Sequence, residues 1–278
     1  ITEVGFDHME YLGDTIEQIA AEKAGIIKSK VPVVFVDRKK QVSDIIRHKA
    51  AECGCKSSPV SKNDYKINEI QKKFIDFSVF NLYYDYGRII VNTKAVYQVE
   101  NAAAAVRACE VLKRDCGLGK ITVRSIQAGI RGMFWAGRME EIAPGVYIDG
   151  AHNEDGIAAF VQSLNEAPGF GGGGCGDRNV LVFSVVRDKQ YDKMIEMLCG
   201  LPMITDVVVT HIPGERGAAL EALRDIFGRY AGKSIQTIHT CERIEDAVRY
   251  GMSVRGESGM VYIVGSLYLA GFVRKLFG

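Results

Sequence analysis

The sequence has almost no charge of one sign to spare. Lys and Arg number 35 against 34 Asp and Glu, a formal net charge of +1. That balance gives no electrostatic basis for holding nucleic acid or an anionic membrane, and neither is expected as a partner. No apolar run approaches the ~18 residues needed to cross a bilayer. Seven cysteines, an odd number, lack paired metal-ligand spacing; Cys53 and Cys55 are the only close pair, and no His cluster accompanies them. Idle thiols in a reducing cytoplasm are the simpler reading, so the protein is expected to be cytoplasmic.

A complete phosphate-binding loop is also lacking. "GFGGGG" (Gly169 to Gly174) satisfies G-x-G-x-x-G, but it follows a helical pattern and Pro168 and precedes a strand. No helix N-terminus would meet a phosphate there, and a flexible surface loop is expected. "GRYAGKS" (Gly228 to Ser234) has its first Gly one residue too close and also runs into a strand. Neither a Met nor a charged or apolar leader precedes Ile1. Ile1 to Phe6 reads as a strand buried on both faces, so an earlier part of the same domain is expected upstream.

What is present is a chain long enough for two domains, 47% hydrophobic and 25% charged, the profile of a globular protein. Asp14 reads as a helix N-cap with Glu17 as its capping-box partner, the helix running to about Lys28. Val31 to Val36 reads as a strand and Gln41 to Glu52 as a helix. Lys66 to Asn92 alternates like an antiparallel meander, with turn chemistry at Asp85-Tyr86-Gly87. "NAAAAVRACEVL" and Thr122 to Gly132 are helical. A domain boundary is expected near Ala136, giving residues 1–136 and 137–278. Beyond it, strands at Val146–Asp149, Asn179–Ser184, Asp206–Thr210, Ser234–His239 and Met260–Val264 alternate with helices from about Glu154, Lys189, Ala218, Glu242 and Ser266. That alternation predicts a mostly parallel α/β sheet covered on both faces. Its ligands would sit at the carboxyl ends of the strands, at Asp149, Ser184, Thr210, His239 or Gly265.

Several stretches are more specific. "ITEVGFDHMEYLGDTIEQIAAEKAGIIK", "YQVENAAAAVRACEVL", "FWAGRMEEI", "YIDGAHNEDGI", "FSVVRDKQYDKM" and "YIVGSLYLAGFVRKLFG" occur in this order over the whole chain. Together they closely resemble the folylpolyglutamate synthase and dihydrofolate synthase family of the Mur ligase superfamily. The resemblance implies the C-terminal part of a P-loop-type ATPase domain followed by a Rossmann-like, mostly parallel α/β domain. The family's P-loop, pterin-contacting loop and one acidic magnesium ligand would lie before Ile1, so the chain alone is expected to be inactive. The implied reaction joins a folate carboxylate to L-glutamate at the expense of MgATP, through an acyl phosphate, with dihydropteroate as a further substrate to consider. ATP and Mg2+ are the implied cofactors, and a monomer is expected.

Site residues follow from the resemblance position by position. His8 matches the family's histidine ligand for magnesium, although magnesium prefers oxygen ligands. Lys23 matches a lysine carbamylated in many members; the change from cation to anion alters two unit charges, each worth roughly 4 kcal/mol of gross Coulomb energy at about 4 Å and an effective dielectric of about 20. Asn101 matches a nucleotide-facing helix position, with a plain helix-surface role as its equal alternative. Arg138 is suited to a nucleotide phosphate or to an interdomain ion pair, and Asp149 to ribose hydroxyls. His152 resembles a residue beside the glutamate, with Asn153 capping the next helix. Ser266 stands where a hydroxyl and helix amides could take a carboxylate, or simply cap the helix. Asp188-Lys189 is read either as substrate-orienting or as a cap, and Tyr268 as core. Two alternatives remain open: a peptidoglycan-precursor Mur ligase, against which the spellings "DGAHN" and "GSLYLAG" argue, and a non-catalytic nucleotide-binding module.

Overall fold

A computed structural model describes residues 1–7, 12–80, 85–170 and 178–278. The chain divides into two compact units, Ile1–Phe134 and Trp135–Gly278. Among the described residues, no helix is long and apolar enough to cross a membrane.

In the first unit, α1 (Ile16–Ala24) and α2 (Lys40–Glu52) pack around β1 (Val33–Val36), which pairs in parallel with β2 (Ser57–Val60). Ile1–Asp7 is not a strand. Only Ile1 joins the β1 ladder, accepting from Val36 N at 3.0 Å and donating to Val34 O at 2.7 Å, and of its neighbours only Val4 is buried. The cap of α1 falls one residue later than expected, at Thr15. Its hydroxyl accepts from Gln18 N while Gln18 Oε1 takes the Thr15 amide, a reciprocal pair that Asp14 and Glu17 do not form. The helix also ends earlier, at Ala24, because Gly25 closes it.

The expected meander is present as β3 (Tyr65–Ile70), β4 (Ile75–Val79) and β5 (Ile89–Val91), all antiparallel. Its apolar face carries Ile75, Phe77, Ile89 and Val91 against α3 (Gln98–Asp115) and α4 (Val123–Arg131). The Gly87 amide donates to Asp85 Oδ1 at 2.8 Å, with Gly87 at φ +55°, which completes the turn before β5. A part-buried ion pair fastens α3 to the exit of β1. Arg38 Nε donates to both Glu100 oxygens at 2.8 and 3.1 Å, and the Tyr65 hydroxyl to Glu100 Oε1 at 3.1 Å. Burial first, then the Glu100 carboxylate, push the Tyr65 phenol up to about 12.

Among its described residues the second unit forms a six-stranded sheet in the order β10-β9-β8-β11-β7-β6. Its strands are β6 (Glu140–Ala143), β7 (Val146–Ile148), β8 (Val180–Phe183), β9 (Asp206–Thr210), β10 (Thr237–Cys241) and β11 (Val261–Val264). All neighbours run parallel except β6, an antiparallel edge strand that the sequence pattern did not reveal. The expected strand at Ser234–His239 starts three residues later and ends two later, at Thr237–Cys241, where Thr237 can pair with Asp206 through both register and side chain. The helices are α5 (Glu154–Glu166), α6 (Tyr191–Cys199), α7 (Leu220–Tyr230), α8 (Ile244–Val254) and α9 (Leu267–Phe277). α6 packs on both α5 and α7, whereas α8 and α9 pack on each other and share an apolar core with the strands. Strands β8 and β9 feed helices toward one face, and β11 feeds α9 toward the other. The chain therefore leaves β8 and β11, which are neighbours, in opposite directions, the kind of switch point at which such sheets open a crevice.

Candidate functional site

The sequence-derived residues of the second unit collect at the carboxyl ends of β7 and β11, which pair directly. Asp149 follows β7 and is 2% exposed. Its Oδ2 accepts from Met139 N at 2.9 Å and its Oδ1 from Ala151 N at 2.8 Å. One carboxylate thus fixes two loops at once: the turn carrying Arg138, and the β7–α5 loop carrying His152. Both bonds come from backbone amides, so the buried carboxylate holds the two loops together. Met139 sits at φ +48°, a conformation the Asp149 bond helps to hold.

Arg138 is half-buried and makes no ion pair among the described residues; Nη1 donates to its neighbour Gly137 O at 3.2 Å. Its guanidinium lies over Gly150. A Cβ there would stand 2.5 Å from Arg138 Nη1 and would also collide with Leu267, so glycine leaves room for the arginine to lie flat. Gly137 closes the same corner, its carbonyl accepting from Gly150 N at 2.8 Å. A half-buried cation without a carboxylate, lying on bare backbone, is suited to an anionic group from outside the chain.

His152 Nδ1 lies 2.7 Å from Gly150 O, a contact in which Nδ1 donates to the carbonyl and the ring is held against the β7–α5 loop. Asn153 caps α5, accepting from Gly156 N at 2.8 Å. Across the β7–β11 seam, Gly265 N donates to Ala151 O at 3.0 Å and so joins the two loops. Ser266 is 2% exposed and caps α9 by accepting from Tyr268 N at 3.1 Å.

The strand-end hydroxyls of Ser184 and Thr210 are fully buried and have no hydrogen-bond partner among the described residues. They stand two residues beyond Val182 and Val208, hence on the face covered by α8 and α9. His239 is not a strand end. β10 runs on to Cys241, and the imidazole stacks on Tyr250 at 4.1 Å. Tyr268 is not core: it is 58% exposed, and its hydroxyl accepts from Arg216 Nη1 at 3.0 Å. Arg216, missed in the sequence, belongs to the β9–α7 loop, which folds back onto the exit of β8. Arg187 N donates to Arg216 O at 2.8 Å there. Nothing in the local sequence periodicity signals that return.

Lys23 and Asn101 belong to the first unit. Lys23 is half-buried in the last turn of α1 and makes no ion pair among the described residues. Asn101 donates to Gln98 Oε1 at 3.0 Å within α3, beside the anchored Glu100. His8 lies outside the described residues, as does most of the Gly169 to Gly174 loop. No three His, Cys, Asp or Glu side chains among the described residues converge on a metal site.

Residues 1–109 match the family model of the Mur ligase middle domain, and residues 137–267 that of the Mur ligase glutamate ligase domain. The chain belongs to the Mur ligase family. Within it, this Mur ligase chain is similar to the dihydrofolate synthase/folylpolyglutamate synthase of Bacillus subtilis, 29% identical over 281 residues, which are 99% of this chain and 61% of that protein. The dihydrofolate synthase/folylpolyglutamate synthase of Mycobacterium tuberculosis is 28% identical over 302 residues, 100% of this chain and 60% of its own length. The crystal structure of Mycobacterium tuberculosis folylpolyglutamate synthase complexed with ADP and AMPPCP superposes with a TM-score of 0.82 at 27% identity, covering 100% of this chain and 63% of that one. The chain thus spans about three-fifths of the length of these relatives.

Proposed function

We propose that the protein is an ATP-dependent ligase that joins L-glutamate to a folate carboxylate. The observation that carries this reading is the order of the two Mur ligase domains together with their likeness to folylpolyglutamate and dihydrofolate synthases over nearly the whole chain. The relative crystallised with ADP and AMPPCP supports a nucleotide as co-substrate. Arg138 fits that role chemically, as a half-buried guanidinium set on Gly150 that makes no ion pair among the described residues.

ATP would supply the phosphoryl group that activates the folate carboxylate as an acyl phosphate. Arg138 would then offset negative charge on the phosphates, held in place by the Asp149 carboxylate behind its turn. His152, its ring held by the Nδ1 bond to Gly150 O, is placed to orient the incoming amino acid. Ser266 and the first amides of α9 would receive the α-carboxylate of glutamate. Magnesium enters this reading as the companion of ATP; the described residues supply no ligand set for it, and no step is assigned to it. Dihydropteroate is a second acid substrate consistent with the bifunctional relatives. The chain of 278 residues by itself should not turn over, since it holds no G-x-x-x-x-G-K-[ST] loop to cradle β- and γ-phosphates.

The test is steady-state kinetics on the full-length protein with each substrate varied. Arg138→Ala should raise the KM for ATP about tenfold to a hundredfold, the loss of one charged hydrogen bond, and leave the KM for glutamate nearly unchanged. Ser266→Ala should do the reverse. Weakening of ATP alone in both variants would put the glutamate site elsewhere.

A further inference from the structure

The loops leaving β8, β9 and β11 meet at the switch point in a way that the ligase reading leaves unused. The β9–α7 loop does not simply pass over to α7. Gly217 pairs with Val186 in an antiparallel bridge, Ala218 N donates to Val185 O at 2.9 Å, and Arg187 N donates to Arg216 O at 2.8 Å. The pin is tight: a Cβ on Gly217 would stand 2.7 Å from the His211 ring and 2.8 Å from Ile212 O. The backbone of Arg216 is therefore fixed beside the exit of β8. From there its side chain reaches the first turn of α9, where Nη1 donates to the Tyr268 hydroxyl, two residues beyond the Ser266 cap.

Arg216 is exposed and makes no ion pair among the described residues. Its bond to Tyr268 uses one of five N–H donors and sets the plane of the guanidinium, leaving a fork suited to a carboxylate. The chain leaves β8 and β11, which pair directly, beside this arginine. An amino acid that brings two carboxylates to this crevice needs two receptors. The α9 cap region can serve one, and the Arg216 fork can take the second in a bidentate, charge-assisted pair.

We propose that Arg216, oriented by Tyr268, receives the side-chain carboxylate of the incoming dicarboxylic amino acid and so selects it over its neutral amide. The inference rests on the ligase reading and adds to it a specificity-determining residue, with Tyr268 as the positioning residue. Arg→Gln at this site removes the charge and keeps hydrogen-bonding capacity. Removal of a charge-assisted bond predicts a rise in KM of about tenfold to a hundredfold.

The experiment measures kcat/KM for L-glutamate and for L-glutamine with the full-length protein at fixed ATP and folate substrate. Arg216→Gln is expected to raise the KM for glutamate by that factor, to leave the KM for ATP unchanged, and to abolish most of the preference for glutamate over glutamine. Arg216→Lys should restore part of that preference. Tyr268→Phe should raise the KM for glutamate by a smaller factor at unchanged kcat, an effect that a purely structural tyrosine would not have on selectivity. If the wild-type protein ligates glutamate and Arg216→Gln keeps both KM and selectivity, this inference falls while the ligase reading stands. If the wild-type protein ligates no glutamate, both fall.

Discussion

Replacing Gly265 with Ala probes the corner on which the candidate site depends. Gly265 ends β11 at φ +113°, a region that L side chains rarely adopt, and its amide joins the β7 loop through Ala151 O at 3.0 Å. A Cβ at this position would run into the Ser184 carbonyl oxygen and stand 2.7 Å from the Phe183 ring. The first obstacle is backbone of β8 and cannot swing aside; the second is a fully buried ring. Backbone strain of this kind costs about 1–3 kcal/mol. Overpacking against a fixed wall costs about the same again. A loss of roughly 3–5 kcal/mol should lower the melting temperature of the second unit by about 10–20 °C. Thermal unfolding followed by circular dichroism measures it, with Gly228→Ala as control. Gly228 lies inside α7 with nothing within 4 Å of a Cβ, so alanine there should stabilise by about 0.5–1 kcal/mol. A Gly265→Ala variant that melts within a few degrees of the parent would refute the close approach of β11 to β8, and with it the crevice in which Arg216 is placed.

Three further outcomes are expected. Glu100→Gln should destabilise the first unit by about 2 kcal/mol in urea unfolding, because a 5%-exposed carboxylate loses its charged bonds to Arg38; an unchanged midpoint would contradict this. Tyr65, at about 12 in the folded chain against an ordinary value of 10.0, favours folding while it is neutral. Its contribution is complete below pH 10 and lost as pH rises through 12, so Tyr65→Phe should flatten the alkaline fall of the melting temperature, and an identical profile would count against the shift. Lys23→Ala in the full-length protein should lose most of its rate and regain part of it with short carboxylic acids, as a carbamate would require; a wild-type rate would mark Lys23 as an ordinary helix lysine.

The elements that sequence made legible are those with strong local signals. Ala-rich α3, the helical stretch that holds α4, and the apolar runs of β7, β8, β9 and β11 all declare themselves by composition and period. β6 did not, because "EEIA" is a short edge strand whose glutamates face other work: Glu140 accepts from Gly137 N at 2.7 Å and from Arg274 Nε at 2.9 Å. Ile1–Phe6 looked like a strand by hydrophobicity, but only its first residue finds a ladder partner. At the site, motif spelling singled out Asp149, His152 and Ser266, whose loops β-sheet pairing then brings together. It could not show that Asp149 spends both oxygens on backbone amides, nor that a distant loop returns Arg216 to Tyr268. Those facts depend on tertiary approach, and no local period encodes them.

The central claim is that this chain belongs to an enzyme making an amide bond between a folate carboxylate and glutamate. Mass spectrometry of the folate substrate after incubation with full-length protein, ATP, magnesium and L-glutamate tests it most directly. Ligation predicts a mass gain of one glutamyl residue per ADP released, absent when either ATP or glutamate is omitted. ADP release without any change in folate mass, or no reaction at all, would contradict it.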